Sequence, residues 1–278
     1  MKIPASNLEA FLAVARAGRF APAAKQHGLS QSALSQRILN LESQLELTLF
    51  VRDRAGSRLT PEGENLLRYA QAQEALEDEF LKARGAAAGT LRVGAFSSVC
   101  RSILLPALAP LVRETGSGFS LFSRQVDALP QLLRKGEADL VVLDREPERG
   151  QTEAVFLGYE ENVLVRGKSK ADVYLDHDAD DLTTQRYFQK FGPKGKKLER
   201  RFLDEVYGLL DGVRAGLGHA VLPLHLLESR KDITIVDPGN VLRLPVWLCY
   251  PSQGYYPLLQ RRAREAIVGH ARGVLAQK

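Results

Sequence analysis

The sequence predicts an α/β protein with an N-terminal winged helix-turn-helix, a long linker helix and a C-terminal half of alternating strands and helices. Three observations carry that expectation. Phe20 to Glu42 reads as two short helices about a tight turn at Gly28-Leu29-Ser30. Gly85-Ala86-Ala87-Ala88-Gly89 reads as a hinge. From Thr90 the pattern becomes strand, helix, strand, an order that implies a parallel sheet with right-handed crossovers.

The elements follow in order. Ser6-Asn7-Leu8-Glu9 has the S-x-x-E form of a capping box opening a first helix, with Leu8, Phe11, Leu12 and Ala15 on its apolar face and Gly18 at its end. The second helix, Phe20 to Gln26, packs through Phe20, Ala23 and Ala24. Ser30 is a hydroxyl N-cap for the third, whose apolar seam is Leu34, Ile38, Leu41 and Leu45. The opposite face carries Ser32, Gln36, Leu39 and Ser43, flanked by Ser35 and Asn40, and is small, polar and nearly without charge. A solvated face is usually rich in Lys and Glu. Ser and Gln at a helix N-terminus suit a DNA major groove, where glutamine reads adenine and serine reaches base edges or phosphates. Leu49 to Thr60 reads as two short strands around a Gly-Ser turn, a wing whose Arg52, Arg54 and Arg58 would lie along phosphates.

Pro61 at a first-turn position opens a helix running to about Ala83, with a short heptad seam at Leu66, Tyr69, Gln73, Leu76, Phe80 and Ala83 that suits dimerisation. Beyond the hinge, strands are expected at residues 91–94, 119–124, 138–143, 163–165, 173–175, 220–223, 233–236 and 246–250. Helices are expected at 103–113, with Leu104, Leu105, Leu108 and Leu111 buried, and at 129–135, 200–214 and 257–275.

Composition narrows the function classes. The chain has 278 residues, enough for two domains, and its 45% hydrophobic and 26% charged content is ordinary for a globular protein. The net charge of +5 permits a polyanionic partner. Within residues 1–60 eight basic side chains face four acidic ones, so most of the excess sits in the first quarter. MKIPASNLEA lacks the apolar region of a signal peptide, and no apolar run approaches the roughly 20 residues of a membrane span, so a cytoplasmic protein without a membrane partner is expected. Cys100 and Cys249 form no CxxC pair, which fits a reducing compartment and gives no metal site. His219 follows Gly-Leu-Gly, but no nucleophile elbow or acid completes a triad; no catalytic residue, cofactor or enzymatic activity is expected.

By its residues the chain resembles the LysR-type transcriptional regulators over nearly its whole length. The resemblance rests on Phe11, Val14, Gly18, Phe20, Ala23-Ala24, Leu29 to Ser35, Ile38, Leu41-Glu42, Leu45, Leu49-Phe50, Arg52, Leu59-Thr60 and Gly63. In the second half it rests on Leu91-Arg92-Val93-Gly94, Leu105-Pro106, Gly136 to Leu140, and Val213 to Gly218 through Leu222-Pro223. It implies a two-lobed, periplasmic-binding-protein-like effector domain whose last helix returns to the first lobe. The organisation expected is a DNA-binding domain at 1–60, a linker helix and hinge at 61–88, and an effector domain at 89–278. Lobe I would hold about 89–161 and 249–278, and lobe II about 162–248. Four positions depart from the family pattern: Arg19 for a usual Ser, Glu46 for a usual Gly, Ala55 for a basic residue, and Gln36 for a frequent Arg. The last favours adenine or phosphate contacts over guanine.

The resulting function is a sequence-specific DNA-binding transcriptional regulator that responds to a small molecule. The alternative is a two-lobed small-molecule-binding protein or enzyme with a vestigial DNA head. Candidate DNA contacts are Ser30, Gln31, Ser32, Ser35, Gln36, Arg52, Arg54, Arg58 and Thr60. Candidate effector contacts are Ser97 and Ser98 between the first strand and a helix, Asp144 after a buried strand, and Thr183 and Thr184 in the second lobe. Helix capping is the other reading of the serines, and turn chemistry that of Asp144. The partners expected are a double-stranded DNA operator, an effector that is an amino acid or organic anion, RNA polymerase, and further copies of the chain as homodimer or homotetramer. Cys100 lies near the same crevice, where some relatives keep thiol sensors.

Overall fold

Small alanines let three helices cross closely at the N-terminus. The computed structural model describes residues 3–53, 56–82, 89–147, 152–169, 172–227 and 232–277. Helices α1 (Ala5–Ala17), α2 (Phe20–Gln26) and α3 (Gln31–Leu45) enclose Phe11, Ala23, Leu34, Ile38 and Leu41, all fully buried. The capping box at Ser6 does not form: the N–H groups of Asn7 and Leu8 bond to the carbonyl of Pro4, so extended Pro4 is the N-cap and the helix starts before the serine. Gly18, at φ 65°, ends α1.

The wing pairs β1 (Phe50–Asp53) with β2 (Gly56–Leu59), antiparallel, Asp53 opposite Gly56. Gly56 and Ser57 therefore belong to the second strand rather than to a Gly-Ser turn, and residues 54 and 55 lie outside the described residues. Gly56 is required for close approach. A Cβ there would sit 2.8 Å from the Gly18 carbonyl oxygen, which accepts from the Ser57 N–H at 2.9 Å. The wing is thus bolted to the α1–α2 turn. On the other side, Glu42 accepts from the N–H groups of Leu49 and Phe50, at 2.7 and 3.2 Å.

Helix α4 (Pro61–Lys82) divides the expected heptad seam. Leu66, with Leu67 and Ala70, completes the core of the head, whereas Tyr69 and Leu76 are exposed. The Phe80 side chain, Ala83 and residues 85–88 of the expected hinge lie outside the described residues.

The second half is one sheet whose strands lie side by side in the order 118–123, 90–95, 140–143, 242–251, 152–166, 219–223, 173–176 and 199–202, with 234–235 on the 152–166 strand. In lobe I, β3 (Thr90–Ala95) leads through α5 (Ser97–Val99), a π-turn at Cys100–Leu104 and α6 (Leu105–Thr115) to β4 (Gly118–Ser123), α7 (Leu129–Arg134) and β5 (Leu140–Leu143). The π-turn rotates Leu105 outward, 45% exposed, contrary to the expected burial. The long strand β6 (Thr152–Arg166) carries the chain into lobe II. There follow β7 (Val173–Asp176), α8 (Thr183–Phe191), β8 (Glu199–Phe202), α9 (Val206–Arg214), β9 (His219–Pro223) and β10 (Thr234–Ile235). Strand β11 (Leu242–Pro251) returns antiparallel to β6, and α10 (Leu258–Val274) packs on α6 in the lobe I core. Each lobe has a parallel half-sheet, and the β6–β11 pair joins them. Helix α8 escaped the sequence reading, and residues 200–202, where the helix to 214 was expected to begin, belong instead to strand β8. Buried Asp176 draws Arg200 into an ion pair from that strand, and the same guanidinium bonds the carbonyls of Asp178, Ala179 and Asp181.

Candidate nucleic-acid interface and effector cleft

The sequence places a hydroxyl directly before α3, and the fold uses it as a cap. Ser30 Oγ accepts from the Ala33 N–H at 3.1 Å and lies 3.0 Å from Ser32 Oγ. With the seam inward, Gln31, Ser32 and Gln36 are exposed and Ser35 is half-buried. Gln36 Nε2 donates to Asn40 Oδ1 at 2.9 Å, one turn along. The face therefore presents both donors and acceptors without a formal charge.

Arg58 is exposed on β2, opposite Val51, and Arg52 is opposite Ser57. Arg54 lies outside the described residues. Thr60 is buried: its hydroxyl donates to the Thr48 carbonyl at 2.6 Å and accepts from the Gly63 N–H at 3.0 Å, capping α4 against the wing. Glu46, where the family commonly has glycine, stands at φ 57° as the C-cap of α3, the one non-glycine at positive φ among the described residues.

The strand ends of the two half-sheets face one another across the β6–β11 pair, and polar side chains bridge the gap. Ser97 Oγ accepts from the Val206 N–H, the first of α9, at 3.3 Å. Gln125 Nε2 donates to Asp178 Oδ2 at 2.7 Å. The Arg101 guanidinium lies 3.7 Å over the Tyr207 ring. Burial pushes the Tyr207 phenol up, and Arg101 pulls against that. Ser98 donates to Glu160 Oε1 at 2.7 Å, and His225 Nε2 lies 3.0 Å from the same oxygen. All three side chains are buried, and His225 Nδ1 has no hydrogen-bond partner. This network ties lobe I, the crossing strand and lobe II at one carboxylate.

Asp144 follows β5. Its Oδ1 is buried without a hydrogen bond, with Arg145 Nη1 at 3.6 Å. Burial pushes this carboxyl up, while the charges of Arg145 and of Arg186 on α8 pull it down. Thr183 is half-buried at the start of α8. Thr184 is fully buried and donates to Asp176 Oδ1 at 2.5 Å, inside lobe II. Ser97, Ser98 and Asp144 thus follow the adjacent parallel strands β3 and β5 of lobe I, and Thr183 belongs to lobe II.

Cys100 is buried, its Sγ toward the carbonyls of Ala95 and Phe122, and burial pushes the thiol up to about 11. That is the opposite of an activated thiolate. Cys249, fully buried, is pushed up to about 12. His219 packs on the Tyr174 ring in lobe II. A cavity of about 100 Å³ lies elsewhere, between α4 and lobe I, where Arg92 is paired with Asp139 and Glu74 with Arg16. No helix of the described residues is long and apolar enough to cross a membrane.

Sequence reasoning missed Glu160, His225, Gln125, Asp178 and Tyr207. Glu160 and His225 join Ser98, Tyr207 meets Arg101, and Gln125 meets Asp178 only through tertiary folding. One signal was available: adjacent glutamates, Glu160-Glu161, between the apolar runs 154–157 and 163–165 of one strand.

Two family models match the chain. The bacterial regulatory helix-turn-helix protein, lysR family, covers residues 5–64, and the LysR substrate binding domain covers residues 84–272. A putative transcriptional regulator of Pseudomonas aeruginosa is 40% identical over 275 residues, covering 90% of this chain and 87% of that one. The probable HTH-type transcriptional regulator LrrA of Synechococcus elongatus is 36% identical over 144 residues, 50% of this chain, which spans about half of LrrA, 49%. Full-length LysG of Corynebacterium glutamicum, solved with bound effector Arg, matches with a TM-score of 0.77 at 20% identity, covering 99% of this chain and 100% of that one. The chain belongs to the LysR family of bacterial transcriptional regulators.

Proposed function

We propose that this chain acts in the cytoplasm as a homodimer or homotetramer that binds an operator sequence and changes its hold on DNA when a small molecule enters between the lobes. The observation that carries the reading is the exposed, uncharged, hydrogen-bonding N-terminal face of α3. Gln31, Ser32, Ser35 and Gln36 read base edges, while Arg52, Arg54 and Arg58 hold phosphates. Ser30 and Thr60 fix the starts of α3 and α4, so that backbone N–H groups meet the DNA backbone at a set register.

The effector, an amino acid or organic anion, contacts Ser97, Ser98, Asp144 and Thr183. LysG, which shares this fold, was solved with arginine, and that supports a ligand of amino-acid size. Entry replaces the Ser97–Val206 and Gln125–Asp178 bonds with ligand contacts. RNA polymerase is the downstream partner.

Duplex-binding titrations over a range of salt test the reading. Logarithmic affinity should fall linearly with logarithmic salt, and a selected sequence should bind at least roughly 1,000-fold tighter than random duplex. A protein with no sequence preference at physiological salt would refute it.

A further inference from the structure

The recognition helix carries one side chain that a solvated polar face does not call for. Of the large apolar side chains the head exposes among its described residues, Leu39, Leu47 and Val51, only Leu39 lies on α3, and it is 49% exposed. It stands three residues after Gln36, four after Ser35 and seven after Ser32, so all four share one face. Its neighbours one turn away are Ser35, Gln36, Glu42 and Ser43, all polar, and the Glu42 carboxylate is turned onto the Leu49 and Phe50 N–H groups. An isolated leucine in such surroundings is not the centre of an apolar protein-docking patch.

The major groove offers one apolar feature on its base edges, the 5-methyl group of thymine. The distance from Gln31 to Leu39 is about 12 Å along the helix axis, a span of several base-pair steps, so both can reach bases of one half-site. Gln36 fixes which pair is nearby. Its Nε2 donates to Asn40 Oδ1 at 2.9 Å on an exposed side chain, and its Oε1 can accept from the adenine amino group. An A·T pair presents that amino group and the thymine methyl on the same groove edge.

We propose that Leu39 reads a thymine methyl group in the operator, beside the adenine edge taken by Gln36, and that Asn40 positions the Gln36 amide. The inference rests on the reading that α3 enters the major groove, and it adds an apolar specificity determinant to it.

The test uses the full-length protein and duplexes selected from a random pool. In the selected site each thymine is replaced in turn by uracil, which removes only the methyl. Wild-type affinity should fall about fourfold at one symmetry-related thymine position, the effect of withdrawing one buried methyl. Leu39→Ala should bind the thymine and uracil forms equally, with affinity for random duplex unchanged, and Leu39→Met should keep the preference. A wild type indifferent to every thymine methyl would overturn the inference and leave the DNA-binding reading standing. So would Leu39→Ala remaining as methyl-sensitive as wild type. A pool that yields no sequence would overturn both.

Discussion

The head and the cleft use polar side chains in opposite ways. On α3 the groups that meet a partner are outside, held ready by short local bonds such as Ser30 to Ala33 and Gln36 to Asn40. In the cleft they are turned inward on one another: Ser97 is bonded to α9, Gln125 to Asp178, and Ser98 and His225 to Glu160. The DNA surface is thus preformed. The cleft surface is closed by its own hydrogen bonds, which a ligand entering as proposed would exchange for its own. On the proposed reading regulation follows from that difference, because exchanging those bonds for ligand contacts would give the cleft a second state.

The largest test breaks the cleft alone. His225→Ala leaves the buried Glu160 carboxylate with Ser98 as its remaining side-chain partner. The effector half should lose about 3 kcal/mol of stability, read as a lower denaturant midpoint, with DNA affinity unchanged. A loss well under about 1 kcal/mol would mean that water replaces the imidazole easily, and that the cleft is wetter than its burial implies.

The converse test breaks the head alone. Gln36→Ala should reduce discrimination between operator and random duplex by roughly tenfold or more, while affinity for random duplex stays within about twofold. Arg58→Ala should weaken both equally and lower the salt slope by about one. Binding competitions with the two variants check the division: an equal loss for Gln36→Ala on both duplexes would assign that residue to the phosphates.

The same contrast explains what was legible in the sequence. The head was readable because its logic is local: the Ser30 cap, the Leu34 to Leu45 seam and the wing lie within 30 residues or so of one another. Its failures were also local. Pro4 took the cap expected of Ser6, and Gly56 served a close approach instead of a turn. The cleft was only half readable. Ser97, Ser98 and Asp144 stand at strand ends, where a general rule finds them. Glu160 meets Ser98 across 62 residues and His225 across 65, so no spacing announces the set. Helix α8 begins with β-branched Thr183-Thr184 and is nine residues long, too weak a local signal to separate from a loop.

A smaller test concerns strain within the head. Glu46 at φ 57° adopts a conformation that side chains with a Cβ disfavour, so Glu46→Gly should stabilise the protein by about 1 kcal/mol. The check is a denaturant titration alongside DNA binding, which should be unaltered. A destabilised variant would show that the Glu46 side chain makes a compensating contact.

The smallest effect returns to the cleft. Asp144 is raised by burial, against the pull of Arg145 and Arg186. A carboxyl whose folded pKa exceeds its unfolded value gives its full stability below the unfolded value, and loses it as pH rises through the folded one. Asp144→Asn imitates the protonated form. It should match wild type below about pH 4 and exceed it at neutral pH by a fraction of a kcal/mol, because Arg145 keeps Asp127 as a partner. Stability profiles of the two proteins against pH decide the sign. A wild type more stable than the variant at neutral pH would mean that the arginines outweigh burial, and that Asp144 serves the closed cleft as a charge partner across the lobes. The expected order means that Asp144 is held at a cost, with an unbonded oxygen that a ligand ammonium or hydroxyl can satisfy.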